Sequence, residues 1–169
     1  MLGLKVGQEL SEERIIEITN KAEFQKVLDR LLFFATLRPK SEKEVRDWMN
    51  RKKVNEDFKR TLIDKITKLD LLNDEKFAHW WVEQRLQFKF KSKRELVQEL
   101  KIKGINKDVI SKVLSETEVD EVGAAKKLIE KNIYKWSRFP KNIAGQKMRI
   151  FLARKGFGWE VIKKATGDR

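Results

Sequence analysis

The chain predicts an all-α protein of tandem three-helix repeats, three units stacked into an elongated, curved array behind a short N-terminal helix, and three observations carry that prediction. Its 169 residues hold 38% charged side chains but only two prolines and eight glycines, a balance that favours helices over a sandwich, a barrel or a disordered chain. Apolar residues recur three and four apart, as in Leu96 and Leu100 or Val109, Ile110, Val113 and Leu114, the period of a helix with one buried stripe. The chain also overlays itself at an offset of 51 residues and then at 52, the sign of a repeated supersecondary unit.

At the first offset Ser41 meets Ser92, Glu44 meets Glu95, Val45 meets Leu96, Met49 meets Leu100 and Val54 meets Ile105; at the second, Leu96, Leu100, Gly104, Ile105 and Ile110 meet Met148, Leu152, Gly156, Phe157 and Ile162. Three units follow, over residues 22–71, 72–121 and 122–169, with an N-terminal capping region over residues 1–21. In that region Ser11 is the expected helix cap, with Glu12 and Glu13 in the positive first turn. The first helix of each unit is aromatic and aliphatic: "FQKVLDRLLFFATL" from Phe24, "EKFAHWWVEQRLQF" from Glu75 and "AAKKLIEKNIYKW" from Ala124. The second begins at a serine in the first two units, where Ser41 with Glu44 and Ser92 with Glu95 fit a capping box. The third begins after a turn at Asn55, Asn106 or Gly158, and Gly104 and Gly156 suit a left-handed stop just before it. The acidic stretch "SETEVDE", Ser115 to Glu121, is either a flexible joint or a polar turn. One unit alone has too little core to stand firmly, so neighbouring units must stack.

No cysteine is present, which excludes disulfides, thiolate chemistry and cysteine-rich zinc sites and fits a reducing compartment. The opening "MLGLKVGQEL" lacks the basic start and apolar run of a secretory signal, and no apolar stretch is long enough to span a membrane. The expected location is the cytoplasm, and the expected state a monomer. The formal charge of +13 sits in the second half of the chain: residues 1–84 carry 17 basic and 16 acidic side chains, residues 85–112 carry 9 and 3, residues 113–125 none and 4, and residues 126–169 carry 13 and 3. Such a distribution favours a polyanionic partner, nucleic acid or an acidic protein surface; its plainer reading is a solvated face.

Chemistry is mostly missing. His79 is the single histidine and lies in an apolar helix, where a structural or half-exposed place outweighs catalysis or metal binding. There is no glycine-rich phosphate loop, and the acidic pairs in "NDEK" from Asn73 and "NEDF" from Asn55 stand where helix starts are expected, so the helix dipole accounts for them. No enzyme, cofactor or metal is expected. Of the five tryptophans, Trp80 and Trp81 point about 100° apart on one helix. They cannot both centre on one core stripe, so one of them is expected on a partner surface or between repeats.

The string "LLNDEKFAHWWVEQRLQFKFKSKRELVQELKIKGI", Leu71 to Ile105, closely resembles the central motif of the RecX regulatory proteins. "LRPKSEKEVRDWMNRK" from Leu37 and "KMRIFLARKGFGWEVI" from Lys147 are similar to that family's first and third repeat motifs. The matching positions are Arg38, Ser41, Asp74, Phe77, Ala78, Arg85, Gly104 and Ile105; Phe77, Ala78 and Ile105 are assigned to packing and Gly104 to the helix stop. The resemblance implies a non-enzymatic modulator of the RecA recombinase that lodges in the groove of the RecA filament on single-stranded DNA and damps ATP hydrolysis, strand exchange and co-protease activity. It leads us to expect filament or DNA contacts from Arg85, Lys89, Lys91, Lys93, Arg94, Lys101 and Lys103 in the second unit and from Lys147, Arg149, Arg154 and Lys155 in the third. Two features depart from the family pattern. Members often carry further residues ahead of the position of Leu2, and Lys53 with Val54 stand where the later units have a glycine, so the first unit's turn is expected to differ. The rival reading is a stand-alone DNA-binding protein of helix-turn-helix type built on residues 91–114, against which "NKDVISKVL" offers few base-reading side chains.

Overall fold

The computed structural model describes residues 9 and 11–167; the rest of the expected N-terminal region, Leu2 included, and the last two residues of the third unit lie outside the described residues. Within the described residues every regular element is helical. The chain divides into two compact units, residues 1–73 and 74–169.

In the first unit α1 (Glu12–Thr36) starts where Ser11 accepts from the Arg14 amide. The short helix expected ahead of the first repeat is continuous with that repeat's own first helix, and α1 runs for 25 residues. No glycine or proline stands between Glu12 and Thr36, so nothing in the backbone stops the helix earlier. α2 (Glu42–Arg51) and α3 (Glu56–Lys68) follow, capped as expected by Ser41, which accepts from the Glu44 amide, and by Asn55, which accepts from the Asp57 amide. Their apolar faces close on α1 around the fully buried Leu31, Val45, Met49, Leu62 and Ile66, with Phe34 stacked on Trp48 at 5.5 Å. Lys40 is buried beside this core, its ammonium 4.6 Å from the Phe34 ring centre. Burial, and secondarily the nearby Arg38 charge, lower its pKa against the opposing pull of Glu44.

The second unit contains the other two repeats. α4 (Asp74–Lys89), α5 (Lys93–Ile102) and α6 (Lys107–Glu116) enclose Phe77, Val82, Leu96, Leu100 and Val113. α7 (Glu121–Asn132), α8 (Lys141–Arg154) and α9 (Trp159–Thr166) enclose Ala125, Leu152, Phe157 and Ile162. α7 begins three residues before the expected Ala124, because Asp120 caps it by accepting from the Gly123 amide, and it gives way to a 3-10 turn at Ile133–Lys135 instead of reaching Trp136. The acidic stretch is therefore a short polar turn, its two ends absorbed by α6 and α7. The tryptophan pair is split as its geometry requires: Trp81 is buried, while Trp80 sits half-buried at the margin of the same core, ring centres 6.1 Å apart.

The turn between the second and third helix repeats itself three times. In each, the amide two residues past the helix cap donates back across the last turn: Val54 to the Met49 carbonyl, Ile105 to Leu100 and Phe157 to Leu152, the Schellman pattern. It needs a left-handed residue, and Gly104 (φ 83°) and Gly156 (φ 80°) supply it. Contrary to the expectation of a different turn in the first repeat, Lys53 takes the same conformation at φ 51°, because the hydrogen bonds of the turn outweigh its side chain's cost of roughly 1 kcal/mol. Lys53→Gly is accordingly expected to raise stability by about 0.5–1 kcal/mol, less than the full cost because glycine also gains freedom in the unfolded chain. Urea titration of the two proteins measures it.

Candidate functional site

The eleven cations expected to meet a partner all belong to the second unit, and the structure sorts them by what they already touch. Arg85, near the end of α4, donates through Nε to Glu99 Oε2 at 2.6 Å, and the Trp81 indole donates to the same oxygen at 2.9 Å. Lys91, in the α4–α5 turn, lies 3.2 Å from Glu99 Oε1 and 3.3 Å from Glu95 Oε1. The Arg85 guanidinium also stands 3.9 Å over the Trp81 ring and the Lys103 ammonium 4.7 Å from the same centre, a cation–π arrangement. Burial alone would raise the Glu99 pKa; hydrogen bonds from Arg85, Lys91 and Trp81, with the Arg85 charge, prevail and lower it. Arg85, Lys91 and Lys103 are thus built into the hinge between α4 and α5.

A second group lies where the third repeat rests on the second. Ser92 is fully buried; its hydroxyl accepts from the Glu95 amide and donates 2.7 Å to the Lys155 carbonyl at the end of α8. The Glu121 carboxylate at the start of α7 accepts from the Lys93 amide at 2.9 Å, an acidic group at the positive end of α5. Phe90, just past α4, packs against the third repeat's core. Along this seam Arg94, Glu95, Gln98, Ala153, Arg154 and Gly156 line one open cleft of about 390 Å3. The Lys155 ammonium stands 4.0 Å from Glu95.

Gly156 is needed here twice over: its φ is positive, and a Cβ would come 3.0 Å from Ser92 Oγ and 3.2 Å from Arg94 Cβ. Gly156→Ala is expected to cost about 2 kcal/mol, roughly half from the left-handed backbone and half from crowding, and to loosen the seam. A lower thermal midpoint with faster amide exchange at Ser92 to Glu95 checks it; an unchanged midpoint contradicts the packing.

Among the described residues Lys89, Lys93, Arg94, Lys101, Lys147 and Arg154 form no ion pair, and all six are exposed. Arg149 is half-buried and already engaged. Among the family-motif positions in this unit, Phe77 and Ala78 are fully buried, Ile105 nearly so, and Gly104 makes the turn. Asp74 opens α4. In the first unit Arg38 grips Glu44 with two hydrogen bonds, at 2.9 and 3.2 Å, and Ser41 caps α2. Glu99, which organises the α4–α5 hinge, goes unmarked in the sequence reading; its spacing of four from Glu95 on α5 was the available signal.

Glu75, His79 and Glu116 form the one group of possible metal ligands among the described residues, their ligand atoms within 4.8 Å of each other. The Lys112 ammonium already occupies Glu75 at 2.6 Å and lowers its pKa, and His79 Nε2 stands 3.3 Å from Glu116. The cluster reads as surface ion pairing between α4 and α6. No helix among the described residues is long and apolar enough to cross a membrane.

Repeated three-helix units, two of them closed on one another at a buried serine, define a helical-repeat protein. The family model for the second three-helix domain of RecX matches residues 73–114, and that for the third matches residues 118–166, together more than half of the chain. The chain belongs to the RecX family. It is 34% identical over 163 residues to the regulatory protein RecX of Bacillus velezensis and 33% identical over the same length to that of Bacillus subtilis, covering 96% of this chain and 62% of each relative. It therefore spans less than two thirds of the length of these curated relatives. A crystal structure of regulatory protein RecX superposes with a TM-score of 0.79 at 24% identity, covering 98% of this chain and 83% of the other. RecX from Lactobacillus salivarius superposes with a TM-score of 0.73 at 23% identity, covering 88% and 97%. Both share the fold.

Proposed function

We propose that this chain modulates a RecA-type recombinase by stoichiometric docking on the recombinase filament assembled on single-stranded DNA, without turnover of its own. The observation that carries the reading is the set of six exposed, unpaired cations in the second unit, with Arg94 and Arg154 lining one cleft at the seam of its two repeats. Cations held away from internal carboxylates keep their charge for an outside partner, and a nucleoprotein polymer offers both carboxylates and phosphates. Arg85 and Lys91 enter as structural cations that fix the angle of the hairpin on which the others are displayed. The protein acts as a monomer in the cytoplasm, limiting filament growth and damping ATP hydrolysis.

The helix-turn-helix rival has a poor reading element. α6 exposes Lys107, Asp108 and Ser111, and its Lys112 is held by Glu75, which leaves no arginine, asparagine or glutamine along the helix to address a base edge. Anisotropy with single-stranded DNA, with RecA alone and with the assembled filament, across a salt series, tests the proposal. Tightest binding to the filament, weakening as salt rises, together with inhibition of ATP hydrolysis near one-to-one occupancy, is the expected result. Equal affinity for bare single-stranded DNA and for the filament, with ATP hydrolysis untouched, sinks it.

A further inference from the structure

The third repeat carries a second cluster, which shares Lys147 and Arg154 with the docking surface and adds an aromatic wall that surface does not use. Lys135, Trp136, Lys147, Ile150, Phe151 and Arg154 line an open cleft of about 330 Å3. Lys147, Ile150, Phe151 and Arg154 stand at i, i+3, i+4 and i+7 of α8, one face of a helix, and the 3-10 turn before it brings Lys135 and Trp136 to the opposite wall. The floor is aromatic: Trp136, buried, meets Phe151 edge to face at 5.3 Å. The rim is cationic, and among the described residues neither Lys135, Lys147 nor Arg154 is paired with a carboxylate. Lys135 holds its ammonium between two rings, 5.8 Å from Phe151 in the floor and 5.7 Å from Tyr134. Tyr134 is 67% exposed, with the Lys135 ammonium near its ring and the rest of the ring open to solvent.

We propose that this cleft is a subsite for single-stranded nucleic acid, in which Lys135, Lys147 and Arg154 take backbone phosphates while one base lies in the cleft against Phe151 and the next stacks on Tyr134. Alternating aromatic faces and cations are what a flexible polyanion with flat, apolar bases needs, and such stacking tolerates any base sequence. An acidic peptide fits less well. The wall from α8 has its backbone groups committed to the helix, so it offers no strand edge for peptide pairing, and the exposed Tyr134 face answers to a base more than to a carboxylate. The subsite goes beyond the filament reading, because it contacts the strand itself and works without recombinase.

The test is anisotropy of a labelled oligothymidine of about 15 nucleotides with the full chain, against an abasic strand of equal length and against polyglutamate as competitor. The triple variant Lys135→Gln, Lys147→Gln, Arg154→Gln is expected to bind oligothymidine at least tenfold more weakly and to flatten the slope of log affinity against log salt by about two. A control with equal charge loss elsewhere in the repeat, Lys126→Gln, Lys131→Gln, Lys164→Gln, is expected to change binding by less than about threefold. Tyr134→Ala, which removes an exposed ring and leaves the core alone, should weaken oligothymidine about tenfold, leave the abasic strand unchanged, and be rescued by Tyr134→Phe. Equal losses in the cleft and control triples overturn the proposal, as does an abasic strand that binds as well as oligothymidine. Displacement by polyglutamate at matched charge overturns it in favour of an acidic protein. Filament inhibition separates the two readings through Tyr134→Ala, since Lys147 and Arg154 also belong to the docking set: inhibition retained by the unaltered chain while oligothymidine binding never occurs defeats the subsite and leaves the docking proposal standing.

Discussion

Replacing Lys93, Arg94 and Arg154 together by glutamate is expected to weaken binding to the recombinase filament on the order of 100-fold at ~0.1 M salt, with unchanged far-ultraviolet circular dichroism. Each position lowers the formal charge of +13 by two, and the three side chains are exposed, so no core contact is lost. The Arg94 atoms nearest Gly156 are its Cβ and Cδ, and glutamate keeps the Cβ. The new carboxylates then face the partner's anions across the seam cleft, where attraction has become repulsion. Inhibition of filament ATP hydrolysis, titrated against protein concentration, should move to correspondingly higher concentration; an unmoved titration removes the seam from the interface. Arg85 is left out of this set on purpose. It lies against Trp81 and Glu99, and reversing it would set two carboxylates side by side in a half-buried site, so any loss of inhibition would report a broken hairpin instead of a lost contact.

What the sequence shows of this protein is what is local in the chain. Ser41, Ser92, Asn55 and Asn106 announce helix starts because the capped amide lies two or three residues away, and the apolar spacing of Leu96, Leu100, Ile110 and Val113 announces the stripe that becomes the core of the second repeat. The left-handed turn at Lys53 escapes notice because its usual signal, glycine, is absent and the turn is held by backbone hydrogen bonds. The continuity of α1 escapes for the opposite reason: a good cap at Ser11 and another apolar run from Phe24 read as two helices, although nothing between them breaks one.

The docking face is legible as a charge excess and illegible as a set of individual contacts. Arg85 and Lys101 look alike in the sequence, yet one meets a carboxylate 14 residues away and the other meets none among the described residues. That difference depends on how far α5 is rotated against α4, which the packing of Phe77, Leu96 and Leu100 decides. In the same way Ser92 is readable as a cap but not as the seat of Lys155, 63 residues further on. Gly156 is readable as a stop but not as the one side chain small enough to let the third repeat close on the second.

Glu99→Ala is expected to destabilise the second unit by about 3 kcal/mol and to lower its thermal midpoint by roughly 15 °C. The change strands two donors, Arg85 Nε and the Trp81 indole N–H, and takes from the Lys91 ammonium one of its two carboxylates. Both charged partners of Glu99 are about a quarter exposed, which lets water recover part of the loss and keeps the figure below that for a fully buried pair. The pH dependence has a definite sign. Glu99 is more acidic in the folded protein than its ordinary value of 4.5, so the unfolded chain binds its proton first as pH falls. Its contribution is complete above about pH 5 and disappears as the pH drops through the depressed folded value. The stability gap between the wild-type chain and Glu99→Ala should therefore be constant from pH 7 to about 5 and close on further acidification, as urea titrations at each pH would show. A gap that persisted undiminished into strong acid would mean that the carboxylate's shape, and not its charge, holds α4 to α5.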